Sequence, residues 1–230
     1  TPLYSSAASD VYKRQILDVL LSLFALLILL PLFIPIVIIL LLTGEHKVFY
    51  LQNRVGYKNK NFKILKFATM LSNSANMGTG SLTLKNDSRV LPFGYFLRKT
   101  KINELPQILN IIVGDLSIVG PRPQMQVDFK KYSYNVQQKI YNVRPGLTGI
   151  GSIVFRDEES LISLASENEN PHDFYKRVIA PYKGELEMWY QKHRSIYLDF
   201  QLIFITAFAI VVPETRIYEK WFKDLPKRNF

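Results

Sequence analysis

Two short basic segments carry the side chains best suited to holding a phosphate group. In the first, the run Arg98-Lys99-Thr100-Lys101 precedes Asn103, which is well placed to cap a helix, and Glu104, which would lie in the first turn. A helix N-terminus flanked by basic side chains is a ready anion site, because its free backbone N–H groups and its dipole both attract negative charge. A capped helix preceded by solvent-exposed basic residues explains the Asn-Glu pair equally well. This segment alone therefore does not establish an anion site.

The second segment presents one arginine between two prolines. In Gly120-Pro121-Arg122-Pro123, each proline fixes its own φ and restricts the residue before it, so the stretch is stiff and extended. Rigid presentation of a guanidinium suits bidentate phosphate binding, whereas a surface turn with an incidental arginine is the alternative. The stretch Arg144-Pro145-Gly146 repeats the theme more weakly, and Lys66 is a single charge in an apolar strand.

The composition limits the classes of partner. The chain has 230 residues, with 29 Lys and Arg against 19 Asp and Glu, and this formal net charge of +10 indicates an anionic partner. The absence of cysteine excludes disulfides, thiolate metal sites and a cysteine nucleophile, and three dispersed histidines leave a hard cation on oxygen ligands as the open metal option. No RRM, KH or helix-turn-helix pattern occurs, so lipid headgroups and nucleotide phosphates are expected partners and nucleic acid is not.

Residues 19–42 predict a membrane anchor. They are apolar throughout apart from Ser22, and a helix of this length measures about 36 Å, enough to cross the ~30 Å hydrocarbon core of a bilayer. Pro31 and Pro35 each remove a backbone donor, one turn apart, which predicts a break or strong kink at Pro31. A kinked transmembrane helix and a re-entrant helix that enters and leaves by one face are both open, and we favour the re-entrant form. The basic residues that follow place this end of the helix in the cytoplasm.

The rest of the chain predicts a small β-hairpin among short helices. Apolar and aromatic runs at 47–52 and 62–67 flank Gly56 and form the hairpin, and the stretch 72–87, rich in Ser, Asn and Gly, forms a loop. Helices are expected at 92–99, 104–113, 124–141 and 173–194, the last bent at Pro181. The apolar run 200–212 is too short to span a bilayer and forms either a core helix or an interfacial helix.

Seven blocks in this order, together with Pro31 in the anchor, resemble the bacterial sugar transferases that act as monotopic polyprenyl-phosphate phosphoglycosyl transferases. The likeness covers residues 18–199. The blocks are Lys63-Ile64-Leu65-Lys66-Phe67, Arg98-Lys99-Thr100, Glu104-Leu105-Pro106-Gln107, Gly114-Asp115-Leu116-Ser117, Gly120-Pro121-Arg122-Pro123, Val143-Arg144-Pro145-Gly146-Leu147-Thr148-Gly149 and Leu198-Asp199. One block alone would be a weak signal, and the ordered set is a strong one.

The resemblance implies transfer of a sugar phosphate from a nucleotide diphosphosugar, such as a UDP-sugar, to polyprenyl (undecaprenyl) phosphate. The nucleoside monophosphate is released, and Mg²⁺ is bound at the site. The implied fold is α+β and mostly helical, with a re-entrant anchor helix broken at Pro31, a small β-hairpin, and amphipathic interfacial helices around a compact catalytic domain. Such enzymes begin the synthesis of surface polysaccharides or other glycans at the bacterial inner membrane. Their catalytic domain lies on the cytoplasmic face, in contact with membrane lipid.

Roles for single residues follow from the same resemblance. Four basic residues fall on the family's phosphate-binding positions, namely Lys66, Arg98, Arg122 and Arg144. Glu104 falls on the metal-linked glutamate, and Asn103 stands where the family has its nucleophilic Asp, although a neutral amide is a poor nucleophile at phosphorus. Three hypotheses follow. Glu104 is the nucleophile, or the lipid phosphate attacks directly while Glu104 holds Mg²⁺, or the chain is a membrane-tethered protein that binds nucleotide sugars or anionic lipid without turnover.

The chain is expected to divide into four segments. Residues 1–15 include Asp10-Val11-Tyr12-Lys13-Arg14-Gln15, which resembles the conceptual translation of a sequencing-library adapter, so we expect this segment to be non-native. Residues 16–43 form the anchor, residues 44–212 the cytoplasmic phosphoglycosyl transferase domain, and residues 213–230 a C-terminal tail.

Overall fold

The computed structural model describes the backbone of residues 2–230 and the side chains of residues 11–230. The helices of this described part are α1 (Pro2–Leu42), α2 (Pro92–Lys99), α3 (Ile108–Val113), α4 (Gln126–Phe129), α5 (Tyr134–Lys139), α6 (Ile150–Val154), α7 (Glu158–Ala165), α8 (Pro171–Phe174), α9 (Ala180–His193), α10 (Ile196–Val211) and α11 (Ile217–Trp221). The strands are β1 (Phe49–Val55), β2 (Asn61–Phe67), β3 (Ser117–Val119) and β4 (Gly146–Thr148). The predicted α+β class, mostly helical with a small hairpin, is confirmed.

Helix α1 runs from Pro2 to Leu42 with Pro31 and Pro35 inside it, so the chain stays helical at Pro31, and the kink expected there stays a prediction. Ser22 and Ile36 are both buried, and they lie about four turns apart at ~3.6 residues per turn. The helix therefore keeps one face against the rest of the protein on both sides of Pro31. Each of the two internal prolines removes a backbone hydrogen bond, and Ile36 and Leu40, in the turns that follow Pro31, pack with Phe67 and Leu97. The re-entrant and the spanning form of the anchor both stay predictions.

The same helix has the length and composition of a membrane span. From Val11 to Leu42 it is the single helix in the described chain that is long and apolar enough to cross a bilayer. Only 11% of the residues in its most apolar stretch are buried, whereas the core helix of a water-soluble protein would be covered on most sides. Most of the apolar surface of α1 is thus left for lipid.

The predicted β-hairpin is confirmed and is the platform against which the anchor packs. Strands β1 and β2 pair antiparallel, with Phe49 opposite Phe67 at one end and Val55 opposite Asn61 at the other. Phe67 is almost fully buried, and its ring packs edge-on against Phe33 of α1 at a centroid distance of 5.4 Å. The hairpin and the C-terminal half of α1 therefore form one packed unit with α2.

A second, very short sheet was missed at the level of sequence. Strands β3 and β4 pair in parallel, with Ser117 opposite Gly146 and Val119 opposite Thr148. A Cβ atom built on Gly146 would lie 2.1 Å from the backbone nitrogen of Gly120, and one on Gly120 would lie 2.5 Å from the carbonyl oxygen of Arg144. These two glycines allow the two backbones to touch, so the segments that carry Arg122 and Arg144 lie side by side.

The short helices mostly follow the expected pattern. Helix α2 matches its prediction, whereas the single helix expected over 124–141 is two short helices, α4 and α5, separated by a turn that ends at Ser133. The helix expected over 173–194 is a continuous helical run in which the π-helical turn Tyr175–Ile179 joins α8 to α9 just before Pro181. A π-helical turn at this place accommodates the interrupted hydrogen-bond pattern that precedes a proline.

Helix α10 has two apolar faces. Leu198, Leu202 and Ile205 are buried and pack into the main core with α6 and α9. On the opposite side Phe200 and Phe204 are exposed, and the ring of Phe204 stacks on Trp221. The core-helix alternative is therefore confirmed for one face of α10, and the interfacial alternative stays a prediction for its exposed aromatic face.

Candidate active site

Glu104 is the centre of a charged cluster that three chain segments build. Its Oε1 atom accepts hydrogen bonds from Arg122 Nη2 at 2.8 Å and from Lys66 Nζ at 3.4 Å, and Arg122 Nη1 lies 3.4 Å from Oε2. The carboxylate is only 14% exposed, so these contacts are largely shielded from water. Arg122 thus holds Glu104 with both ends of its guanidinium fork, which is the geometry that a carboxylate or a phosphate accepts best.

The backbone around Arg122 is fixed by two buried side chains. Glu187 Oε1 accepts a hydrogen bond from the Arg122 backbone N–H at 3.3 Å, and Tyr141 Oη donates to the Arg122 carbonyl at 2.9 Å. The Gln124 N–H in turn donates to Tyr141 Oη at 2.9 Å. The stiff Pro-Arg-Pro segment predicted from sequence is therefore anchored at the N–H and the carbonyl of the arginine itself, which orients its side chain toward Glu104.

The charges in the cluster shift each other's pKa values strongly. Burial alone would raise the pKa of Glu104, but Arg122 and Lys66 together lower it well below its usual range. The charge of Glu104 raises the pKa of Arg122 above its already high value. Burial lowers the pKa of Lys66 to about 7, and Glu104 offsets this only in part, since Arg54 and Arg122 repel the ammonium. Glu104 is therefore an anion at neutral pH, while Lys66 is poised between its two forms.

Asn103 does not cap a helix, contrary to the prediction. The chain enters the 3₁₀-helical segment Ile102–Gln107 through Lys101, whose φ of 61° is left-handed, so Asn103 lies inside the segment. Its side chain is 5% exposed, and its Oδ1 atom is buried without a hydrogen-bond partner. The reason is that the helical turn begins two residues earlier than the cap pattern suggests. What the position offers instead is one free, buried acceptor oxygen beside Glu104.

Arg98 and Lys101 lie at the edge of the cluster. The guanidinium of Arg98, on α2, donates to Glu159 of α7, and its Nη1 lies 3.8 Å from the sulfur of Met70. Burial lowers the pKa of Lys101, and the charges of Glu104 and Arg122 also act on it. The charge of Arg98 acts on Lys66, and the charge of Lys101 acts on Glu104.

Arg144 is not brought onto Glu104. A Cβ atom built on Gly114 would lie 3.8 Å from Arg144 Nη2, so this guanidinium lies beside the turn between α3 and β3. None of the contacts described for the chain joins Arg144 to Glu104. Of the four basic residues predicted at the site, Lys66 and Arg122 contact Glu104, and Arg98 lies at the edge of the cluster. The side chain of Arg144 lies elsewhere, and its backbone packs against Gly120, two residues before Arg122. The predicted roles of these residues stay predictions.

The sequence of this chain was compared with models of known protein families. A family model described as bacterial sugar transferase matches residues 9–213, most of the chain. The chain belongs to this family.

Several curated relatives of this sugar transferase are known. One from Aeromonas hydrophila, named UDP-N-acetylgalactosamine-undecaprenyl-phosphate N-acetylgalactosaminephosphotransferase, is 31% identical over 88% of this chain and 45% of its own length. Another, from Xanthomonas campestris pv. campestris, named UDP-glucose:undecaprenyl-phosphate glucose-1-phosphate transferase, is 30% identical over 89% of this chain and 40% of its own length. An exopolysaccharide production protein from Sinorhizobium fredii is 34% identical over 64% of this chain and 71% of its own length. This sugar transferase therefore spans less than half the length of the first two relatives.

Two residues of the sugar transferase site were missed at the level of sequence. Arg54 bonds Gln52 Oε1 and, through Nη1, the carbonyl of Pro123 at 3.2 Å, and burial lowers its pKa. It was counted among the basic residues that follow the anchor, although its place two residues after Gln52 on a strand could have shown that both point to one side. Glu187 gave no sequence signal, because a glutamate in a helix is normally solvent-exposed.

The oxygen atoms around Glu104 suit Mg²⁺ only in part. Within the described residues no group of three His, Cys, Asp or Glu side chains could hold a metal ion by itself. Mg²⁺ is commonly held by one or two carboxylates together with substrate phosphates and water. Glu104 supplies one carboxylate and Asn103 one buried, unpaired oxygen, so the donor set fits a metal that arrives with a diphosphate rather than one held in a closed protein cage.

Proposed function

We propose that this protein transfers a sugar phosphate from a nucleotide diphosphosugar, a UDP-sugar, to undecaprenyl phosphate and releases the nucleoside monophosphate. This would be the first membrane step in the synthesis of a surface polysaccharide or glycan. The observation that carries the proposal is the largely buried Glu104 carboxylate, which Arg122 and Lys66 both contact. This cluster lies in the part of the chain that follows the apolar helix α1. Membership of the bacterial sugar transferase family and the names of its relatives support it.

The charge balance of the cluster favours a phosphate ligand. Lys66 and Arg122 contact Glu104, and three further cations, Arg54, Arg98 and Lys101, act on them electrostatically. Glu104, together with Glu159 on Arg98, supplies two negative charges against these five cations. An anionic diphosphate would relieve their mutual repulsion, and partial burial would strengthen each contact relative to one in water.

The geometry favours direct transfer over a covalent intermediate on this chain. Asn103 is neutral and buried, and Glu104 is bound at both oxygens by Arg122 and Lys66, which makes its carboxylate a weak nucleophile. An oxygen of the lipid phosphate would attack the sugar-linked phosphorus and form the new P–O bond. The bond to the bridging oxygen would break, and that oxygen would leave on the nucleoside monophosphate. Arg122 would stabilise the charge that develops on the transferred group.

Mg²⁺ would be held by Glu104 and the Oδ1 atom of Asn103 together with diphosphate oxygens. The ion would supply charge neutralisation on the diphosphate. In this arrangement Arg122 would turn from Glu104 to the substrate phosphate, since both accept the same bidentate fork.

The protein would act at the bacterial inner membrane with its catalytic part on the cytoplasmic face. Helix α1 supplies the span, and the aromatic face of α10 would rest on the lipid headgroups, because aromatic side chains favour the membrane interface. This face and the exposed surface of α1 would make membrane lipid a direct partner.

A second candidate function is nucleotide-sugar or anionic-lipid binding without turnover. The observation that favours it is Asn103, whose neutral amide removes the charge with which the family's chemistry is expected to start. The phosphate-binding set around Glu104 would serve this function equally well.

One assay separates these possibilities. The full chain in phospholipid nanodiscs is incubated with radiolabelled UDP-sugar and undecaprenyl phosphate, with and without Mg²⁺, and release of UMP and of lipid-linked sugar is measured. Direct transfer predicts both products and no phosphosugar adduct by intact-mass analysis when the lipid acceptor is omitted. An adduct that Glu104→Gln abolishes would show that Glu104 is the nucleophile. Saturable UDP-sugar binding without UMP release would refute the transferase proposal and support the binding function.

A further inference from the structure

A cavity of about 250 Å³ lies where the anchor helix meets the start of α2. Its apolar lining residues are Leu40, Ala68, Met70, Leu91, Pro92 and Phe93. Two charged residues also line it, and both are already engaged, because the Ser72 hydroxyl accepts from Lys47 Nζ at 2.6 Å and the Ser72 N–H donates to Glu45 at 2.8 Å. The interior of the cavity is thus apolar. The cavity lies at the C-terminal end of α1, the helix proposed to enter the bilayer.

The cavity adjoins the charged cluster through Met70, which lines the cavity and contacts Arg98. Residues alternate sides along an extended chain, so Lys66, Ala68 and Met70 point to one side at intervals of about 7 Å. Lys66 binds Glu104, Ala68 and Met70 line the cavity, and the sulfur of Met70 touches the guanidinium of Arg98. On one face of this segment, the basic side chain of Lys66 is therefore followed two residues later by Ala68 in the apolar wall of the cavity.

We propose that this cavity receives the phosphate-proximal isoprene units of the lipid acceptor, while the phosphate itself binds between Arg98 and Lys66. The inference rests on the proposed transferase function. The occupant is an isoprenoid chain because the cavity is apolar, adjoins cationic side chains and abuts the membrane helix, as an amphiphile with one anionic end requires. Pockets that enclose whole small ligands measure about 300–1,000 Å³, so this smaller cavity takes the first isoprene units and leaves the rest of the chain in the bilayer.

The cavity is tested by filling it. Ala68→Leu adds apolar atoms to a buried wall, and it should raise the KM for undecaprenyl phosphate about tenfold, the factor for about two displaced methylene groups. The KM for UDP-sugar should stay within about twofold. The matched control is Ala75→Leu, the same exchange at an exposed position of the 3₁₀ turn Ser74–Asn76, which should leave both KM values unchanged. Equal KM values for undecaprenyl phosphate in Ala68→Leu and the control would overturn the inference.

A second measurement needs no variant. The wild-type chain in phospholipid nanodiscs is irradiated with farnesyl phosphate that carries a diazirine in its first isoprene unit, and the labelled peptides are identified by mass spectrometry. Labelling of Met70 or Leu91 that excess undecaprenyl phosphate suppresses supports the site, and labelling confined to other elements overturns it. Labelling at the cavity with no transfer in any assay would leave the site standing and sink the transferase proposal, so the two failures are distinguishable.

Discussion

Replacement of Arg122 is the sharpest test of the charged cluster. Its guanidinium makes two contacts with Glu104, at 2.8 Å and 3.4 Å, and is 31% exposed. In Arg122→Ala, Glu104 keeps only Lys66 as a direct partner, at 3.4 Å. A hydrogen bond to a charged group contributes about 1.5–3 kcal/mol, and partial exposure places the expected loss of folding free energy at the lower end, about 1.5 kcal/mol.

The effect on catalysis should be larger than the effect on stability. Loss of one preorganised charged donor to a transition state costs about 2.7–4 kcal/mol, or 10²–10³ in rate, so kcat/KM for UDP-sugar should fall by that factor in Arg122→Ala. Arg122→Lys keeps the charge and loses the fork, and it should recover part of the rate. The measurement is UMP release at varied UDP-sugar concentration, with urea unfolding of each variant.

The control and the refuting result are both well defined. Arg177 is also paired with a glutamate, Glu169, but is 65% exposed and lies on the π-helical turn before α9, so Arg177→Ala should leave kcat/KM and stability nearly unchanged. If Arg122→Ala folds normally and its kcat/KM stays within about threefold of the wild type, the assignment of the cluster as the transfer site is refuted.

Three further predictions concern single groups. Burial lowers the pKa of Lys66 to about 7, so the affinity for undecaprenyl phosphate should fall as pH rises through 7, and Lys66→Arg should flatten this titration. If Asn103 occupies the nucleophile position that the resemblance implies, Asn103→Asp should give a phosphosugar adduct visible by intact mass, and absence of any adduct would contradict this interpretation. Burial raises the pKa of Glu187 to about 7, so the folded state holds a proton that the unfolded state releases from about pH 4.5 upward. The contribution of this group to stability should fall between those two pH values, and Glu187→Gln should remove that part of the slope in urea unfolding; an unchanged slope would count against it.

The sequence predicted the local elements better than the long-range contacts. The hairpin followed from two apolar runs around Gly56, and α2 followed from a proline at its start. The pairing of β3 with β4 was missed because strands of three residues, far apart in the chain, have no periodicity to detect. The chain stays helical at Pro31, because packing of the same helix against Phe67 and Leu97 acts together with the local propensity of the prolines.

The residues of the candidate site also fall into a predicted group and a group that was not predicted. Lys66, Glu104 and Arg122 were expected near one another from their resemblance to a family, and the structure brings their charged groups into contact. The supports of Arg122 could not be predicted, because Glu187 and Tyr141 come from distant segments and act through the arginine backbone. The cap expected at Asn103 was wrong because the helical turn starts from a left-handed Lys101, a conformation that sequence patterns do not indicate outside glycine and asparagine.

The close contact between Gly120 and Gly146 limits how this protein can be recombined with its relatives. A side chain as small as a methyl group at Gly146 would come within 2.1 Å of the opposite backbone. The two motifs around these glycines are distant in the chain, but their backbones pack directly against each other. A chimera that exchanges only one motif must therefore keep this close backbone contact with the motif that is not exchanged. Exchanges of substrate specificity between family members should therefore succeed when residues 120–123 and 144–149 are transplanted together, and fail when they are split.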